Sequence, residues 1–402
     1  MDWLSLGMAA VGLLGSLIWL GFFGVAARHR DWVRRVRDLP VNEPAGGWPS
    51  VAVLFAARDE ARSVEQAART MLALDYPWLE VVAIDDRSTD GTGEILDRLA
   101  AEDRRMRVVH VAELPAGWLG KTHALQVGAE ETSAEWLLFT DADVMFDPLV
   151  LRRTVGHAVA EGLDHLTVTP DLPTQGEGER VFLAMFQVGL ALYAPGWDLE
   201  KPRKKAAMGI GAFNLVRASA FRAIGGFERI ALSVDDDVQL GRSLKWAGYR
   251  SRMVLGTGAI SVRWQQGLGG MIRGLEKNFF AGSRFDLGRV ALYTLGQVVV
   301  GFGPFLGLIS GPAWVRGVCG VAIVVMAILL TLMGRQCGLR PYHALTMPLS
   351  AMVCIAALLR STWKTLRQRG ICWRGHLYPL APLRDHVRRR ERWMRELWLS
   401  TR

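Results

Sequence analysis

From residue 49 the chain alternates short continuous apolar runs with stretches whose apolar residues recur at helical spacing. Runs at 51–56 and 136–140 read as buried strands, because a half-exposed strand would alternate with polar residues, and 79–84 and 107–111 read as further strands. Helical spacing occupies 62–74, the segment from Thr92 to about 101, and 122–131. Strands alternating with helices predict a mostly parallel sheet with right-handed crossovers, which gathers ligands at the carboxyl ends of its strands. Two pairs of acids fall at that edge. Asp85 and Asp86 close the second run, and Asp141 and Asp143 close the fourth.

The two pairs suit different ligands. Asp141 and Asp143 make a seat for a hard divalent cation, Mg²⁺ or Mn²⁺, which could clamp a diphosphate. Asp at such a place also caps helices, so the pair alone is a weak signal. The turn after the second run, Asp85 to Thr92, lacks the glycines of a dinucleotide fingerprint or a P-loop. Ionised carboxylates only accept hydrogen bonds, so Asp85 and Asp86 suit ribose hydroxyls or a base N–H better than a phosphate. A nucleoside at the first pair and its diphosphate at the second is the expected arrangement.

Outside this block the pattern turns uniformly apolar. Residues 3–27 carry no charge and exceed the roughly 20 residues needed to cross a bilayer. Asp2 in place of a basic n-region, and the length of the stretch, favour a retained anchor over a cleaved signal peptide. Arg28, Arg30, Arg34, Arg35 and Arg37 follow and mark the cytoplasmic side. Three more segments, 290–311, 317–334 and 341–359, approach spanning length, with Pro304, Pro312, Pro341 and Pro348 at expected kinks or hairpin ends. Residues 360–402 hold twelve Lys or Arg against three acids, the whole of the net charge of +9. Three crossings from a cytoplasmic domain would leave that basic tail outside. Either one segment is re-entrant or interfacial, or the tail breaks the positive-inside rule. Trp363, Trp373, Trp393 and Trp398 interleave with the charge, which points to an anionic membrane surface and not to nucleic acid. Residues 181–194 are apolar but too short to span, and read equally as a core helix or an interfacial one. Lys201, Arg203, Lys204 and Lys205 follow as a basic loop. Cys319, Cys337, Cys354 and Cys372 lack metal-site spacing and read as small hydrophobes in membrane helices.

In order and spacing, "AARDEA", "AIDDRSTDGT", "GWLGKTHAL", "FTDADVMF", "GAFNLVRASAFRAIGGF" and "VDDDVQLGRSLKWAGYR" resemble the family 2 glycosyltransferases of GT-A fold, over roughly residues 51–282. "PAGWLGKTHAL", "MIRGLEKNFFAG" and "WRGHLYPLAPLR" look like the membrane-anchored branch that glycosylates lipids. That branch includes ceramide glucosyltransferases, hopanoid-associated HpnB-type enzymes and carotenoid-pathway glycosyltransferases. The resemblance implies nucleoside contacts by Asp85 and Asp86, with Arg58, Glu60, Lys121 and Asp141 also on the nucleotide-sugar side. It implies a metal on Asp141 and Asp143, and a general base at Asp237 beside Asp236. A carboxylate there meets a chemical need, since the acceptor hydroxyl must lose its proton as it displaces the nucleotide diphosphate. A single base opposite the leaving group implies inversion. Asp235 and Arg273 are weaker candidates, on the acceptor or leaving-group side. One of the three consecutive acids is also expected to cap the helix that follows. Processive members carry Gln-x-x-Arg-Trp; here Arg263 and Trp264 are present but Ile260 holds the Gln position, so transfer of one sugar is expected in preference to polymer synthesis.

The expected chain is thus an anchor at 1–28, a basic linker at 29–48, a GT-A catalytic domain with a Rossmann-like α/β sheet at 49–285, membrane or re-entrant helices at 286–360, and a basic tail at 361–402. It would sit in a bacterial inner membrane as a multi-pass protein with a cytoplasmic catalytic domain. It would move a sugar, UDP-linked by expectation, to a hydroxyl of a hopanoid, carotenoid or sphingolipid-like lipid. A processive polysaccharide synthase and a non-catalytic sugar-nucleotide sensor are the alternatives.

Overall fold

The computed structural model describes residues 2–30 and 33–401; Asp31 and Trp32, in the basic stretch after the first apolar segment, lie outside the described residues. The chain forms two units. An α/β unit comprises Val33–Asp171, Ala194–Arg263 and Gly370–Arg402, and a helical unit comprises Met1–Trp32, Leu172–Tyr193 and Trp264–Arg369.

The strands, in chain order, are β1 Val51–Ala57, β2 Leu79–Asp86, β3 Met106–Val111, β4 Trp136–Asp141, β5 Val144–Phe146, β6 His165–Thr169, β7 Asn214–Arg217, β8 Ser251–Leu255, β9 Ile260–Val262, β10 Gly370–Trp373 and β11 His376–Pro379. All belong to the α/β unit. The main sheet runs β3-β2-β1-β4-β7-β6-β8. β1 pairs in parallel with both β2 and β4, while β7 runs antiparallel to β4 and β6. The first four strands lie where the apolar runs predicted, and residues 51–55 of β1 are wholly buried. The register fixes the functional edge: Ala57 stands opposite Asp85, and Ala56 opposite Asp141. The acid-bearing ends of β2 and β4 therefore flank the end of β1.

Phe139 of β4 packs against Phe221 and Phe227 at centroid distances of 5.0 and 5.1 Å, and each such pair adds about 1 kcal/mol beyond its area burial. The same core takes in Leu240, Leu244 and Trp246 of helix Asp236–Trp246, together with Met394 and Trp398 of helix Leu380–Ser400. Arg242 lies 4.0 Å over the Trp246 ring and bonds both Glu391 carboxylate oxygens, at 2.7 and 2.9 Å. The expected tail boundary at 361 thus gives way to one at Gly370, after which the chain belongs to the α/β unit. Leu383, Val387, Met394 and Trp398 recur on one helical face and are buried, so much of the basic excess is the outer face of a packed helix.

In the helical unit, among the described residues, three helices have the length and composition to cross a membrane: Trp3–Arg28, Leu287–Ser310 and Ala313–Met333. Asp2 accepts from the Ser5 N–H at 2.8 Å, so its role at the start of the chain is that of an N-cap. A Cβ on Gly12 would come within 2.4 Å of Gly307 Cα, so backbones meet directly at a small-residue crossing. Pro304 interrupts the second helix and has no N–H to give Val300; the Trp19 indole N–H donates to the Val300 carbonyl at 3.0 Å instead. The third expected segment after the catalytic region does not qualify as a span. A short turn at Pro341–Ala344 interrupts it, and helix Met347–Gln368 runs on through Arg360, Lys364 and Arg367. Arg360 and Lys364 both pair with Glu276.

The apolar segment at 181–194 lies in helix Glu177–Tyr193, with Phe182, Leu183 and Ala184 fully buried, which favours the core reading. Three of the cysteines are buried in the helical unit, but Cys372 is exposed on β10 and departs from the membrane-helix expectation.

Candidate active site

One lysine gathers the acids of the sheet edge. Lys121, the second residue of helix Gly120–Glu130, donates to Asp141 Oδ1 at 2.7 Å and lies 3.4 Å from Asp236 Oδ2. Burial opposes its charge, but the carboxylates of Asp141, Asp236 and Asp237 outweigh it and hold the ammonium above the ordinary lysine pKa. The strand acid and the helix acids thus face one crevice. Asp237 Oδ2 accepts from the Gly211 N–H at 2.7 Å, and its Oδ1 accepts from the Val238 N–H at 2.8 Å. Gly211 admits no side chain: a Cβ would stand 2.8 Å from Asp141 Oδ2 and 3.3 Å from Asp237 Oδ2. Lys121, Thr140, Gly211, Asn214, Asp236 and Asp237 line a small cavity.

Burial, with Asp236 next to it, pushes Asp237 well above the usual carboxylate range, and Lys121 only partly offsets this. Such a group is disposed to take a proton near neutrality. Asp143 is pushed up to about 7 by burial and by the carboxylates of Asp141 and Glu60. Two oxygen-donor acids one residue apart at the end of β4, one of them destabilised by burial and like charge, suit a divalent cation that would neutralise both. No cluster of three or more His, Cys, Asp or Glu side chains with ligand geometry occurs among the described residues.

At the end of β2 the two acids have different surroundings. Asp86 is buried and takes both ends of the Arg87 guanidinium, at 2.7 and 3.0 Å, with Arg58 4.0 Å away. Asp85 accepts from the Ser88 N–H at 3.2 Å and meets His110 Nδ1 at 3.0 Å. Asp85 and Asp97, one at each ring nitrogen, raise the His110 pKa. Glu60 pairs with Arg374 and accepts from the Ser63 hydroxyl at 3.2 Å. Asp235 occupies the N-cap position of helix Asp236–Trp246 without capping it. Its carboxylate instead accepts from Gln239 Nε2 at 2.6 Å and lies 3.7 Å from Arg390. Arg273 belongs to helix Gly267–Gly274 of the helical unit, outside the α/β unit that carries the other candidates. Ile260, at the Gln position of the processive motif, is buried in β9.

Sequence reasoning passed over Gly211, Asn214, Arg374 and Tyr378. Gly211 stood inside a motif quoted only for its resemblance. Tyr378 accepts from the Gly120 N–H at 3.3 Å, a contact between residues far apart in sequence that no local pattern announces.

Residues 52–225 match the family described as Glycosyl transferase family 2. The chain carries a family 2 glycosyltransferase domain. The chain is 28% identical over 240 residues to the β-monoglucosyldiacylglycerol synthase of Trichormus variabilis, a match covering 58% of this chain and 50% of that protein. The chain therefore spans about half the length of that relative. It is also 28% identical over 303 residues to the succinoglycan biosynthesis protein ExoA of Rhizobium meliloti, covering 71% of this chain and 85% of that one. The mannosyltransferase PcManGT of Pyrobaculum calidifontis, solved with GDP-Man and Mn²⁺, superposes with a TM-score of 0.54 at 18% identity, over 89% of this chain and 99% of that one. This likeness establishes the GT-A fold of the glycosyltransferase domain.

Proposed function

We propose that this glycosyltransferase is membrane-bound and moves one sugar, with inversion, from a nucleoside diphosphate donor to a hydroxyl of a membrane lipid. The convergence of Asp141, Asp236 and Asp237 around Lys121 carries the reading, because it sets a donor-side acid and a candidate base in one crevice. Asp85, Asp86, Arg58 and Glu60 would face the nucleoside. Asp141 and Asp143 would hold Mg²⁺ or Mn²⁺, which when bound offsets the negative charge growing on the leaving diphosphate. The mannosyltransferase neighbour was solved with Mn²⁺, which supports this assignment. Asp237 takes the proton of the acceptor hydroxyl. That oxygen forms its bond to the anomeric carbon as the bond to the diphosphate oxygen breaks, and the electron pair leaves with the nucleotide. The backbone N–H groups of Gly211 and Val238 fix the Asp237 carboxylate in place.

The acceptor reading rests on the apolar helices and on the glucosyldiacylglycerol synthase relative. Helices Leu287–Ser310 and Ala313–Met333 are joined by two residues, so as a hairpin they would return the chain to the side it left. The catalytic region and the basic C-terminal residues would then share the cytoplasmic face, which resolves the charge conflict raised by three crossings.

The test is transfer from radiolabelled UDP- and GDP-sugars into total bacterial lipid, in detergent, with and without EDTA. Label entering the organic phase only with divalent metal supports the reading. Label confined to a high-mass aqueous product would replace it with polysaccharide synthesis, the reading favoured by the coverage of the ExoA relative.

A further inference from the structure

The hairpin near the end of the chain lies against the nucleotide side of the crevice. β10 and β11 pair antiparallel, with Trp373 opposite His376, and the turn between them is Arg374–Gly375. Both turn residues have positive φ, 49° and 75°, as a tight two-residue hairpin requires. The Arg374 side chain is 43% exposed, yet its guanidinium reaches Glu60 in the loop that follows β1. Tyr378 is buried, and its oxygen accepts the N–H of Gly120, the first residue of the helix bearing Lys121. Gly120 in turn stands against Asp86, whose Oδ2 lies 2.3 Å from where a Gly120 Cβ would be. The hairpin thus bridges two loops on either side of the end of β2.

The charge at this edge needs what the hairpin brings. Glu60, Asp85, Asp86, Asp141, Asp143, Asp236 and Asp237 make the crevice strongly acidic, whereas a nucleotide diphosphate is itself an anion. Arg87 is committed to Asp86 by two bonds, and Lys121 is committed to Asp141 and Asp236. The Arg374–Glu60 pair is solvent-accessible, so exchanging it for a phosphate costs little, and a guanidinium fork suits phosphate oxygens. Because the Tyr378 oxygen accepts from Gly120, its own O–H remains available to donate to an anion. We infer that the β10–β11 hairpin is a wall of the nucleotide site, with Arg374 and Tyr378 binding the donor diphosphate. This rests on the reading of the chain as a nucleotide-sugar-dependent transferase.

The experiment is calorimetric titration of the full-length protein in detergent with UDP and with GDP, in the presence of Mg²⁺, beside steady-state transfer. The variants are Arg374→Asn, which tolerates the left-handed turn, and Tyr378→Phe, which keeps the ring. Each is expected to weaken nucleotide binding and raise donor KM about tenfold, with kcat at saturating donor within about twofold; Arg374→Asn should melt as the wild type does, while Tyr378→Phe should melt lower because the Gly120 N–H loses its acceptor. Arg374→Lys should recover part of the loss. Unchanged affinity in both variants overturns the inference while leaving the transferase reading intact. Tighter binding by Arg374→Asn also overturns it, since Arg374 would then compete with the donor for Glu60. A wild-type protein that binds neither nucleotide overturns both readings.

Discussion

Asp237 is held by two backbone N–H groups and crowded by Asp236, so its protonation controls the chemistry proposed for it. Only the ionised carboxylate can accept the acceptor proton. Because its pKa is raised, transfer should fall as pH drops through neutrality, giving an ascending limb in a plot of kcat against pH. Asp237→Asn should lower kcat by roughly 10²- to 10⁴-fold and abolish that limb, with nucleotide affinity largely kept. Unchanged turnover would remove the residue from the mechanism. Gly211→Ala tests the neighbouring geometry. Its methyl would press on Asp141 and Asp237 together, so kcat and metal affinity should both fall by about tenfold or more. The acids themselves were legible, because each ends an apolar run or precedes a helix. Their partners were not. Nothing in the order of residues shows that Asp86 is closed by its own neighbour Arg87, or that Asp85 turns toward His110.

At the level of elements, sequence pattern carried furthest where burial is uniform. β1, β2 and β4 lie between covering helices and so lose polar alternation, which made them readable. β7 was not predicted: four residues inserted antiparallel between β4 and β6 leave too short a signature. β6 carries a second consequence. His165 is fully buried, with Nε2 2.6 Å from Asn214 Oδ1, and burial pushes it down to about 4. His386 is likewise pushed to about 4 by burial and by Arg390. Both histidines are neutral in the fold, so the unfolded chain binds more protons between their ordinary pKa and pH 4. Stability should be full above about pH 6.5 and decline toward pH 4, by roughly 3 kcal/mol for His165. Thermal melts across that range check it, and a flat melting temperature would contradict the burial of both rings. Helix Leu380–Ser400 adds an energetic test. Arg390 is buried against Ser233, Asp235 and Glu391, so Arg390→Ala should cost about 3 kcal/mol by stranding acids beside helix Asp236–Trp246.

For the molecule as a whole, composition separates the apolar helices from the α/β unit but does not place the boundaries of the C-terminal region. The third apolar segment reads from sequence as either a crossing or a re-entrant or interfacial helix, because its length alone does not separate them. The turn at Pro341–Ala344 and the charges at the far end of the helix that follows only become decisive once its limits are known. The basic end of the chain looked like a membrane-binding tail because a charged outer face and a solvated tail have the same composition.

The Pro304 interruption bears on how the membrane part is made. An unpaired buried carbonyl is costly, and Pro304 leaves helix Leu287–Ser310 with one at Val300 that its own backbone cannot satisfy. The donor that relieves it sits on helix Trp3–Arg28, 281 residues earlier. Trp19 thus ties the two helices together: a substitution there would free the Val300 carbonyl as well as loosen the packing.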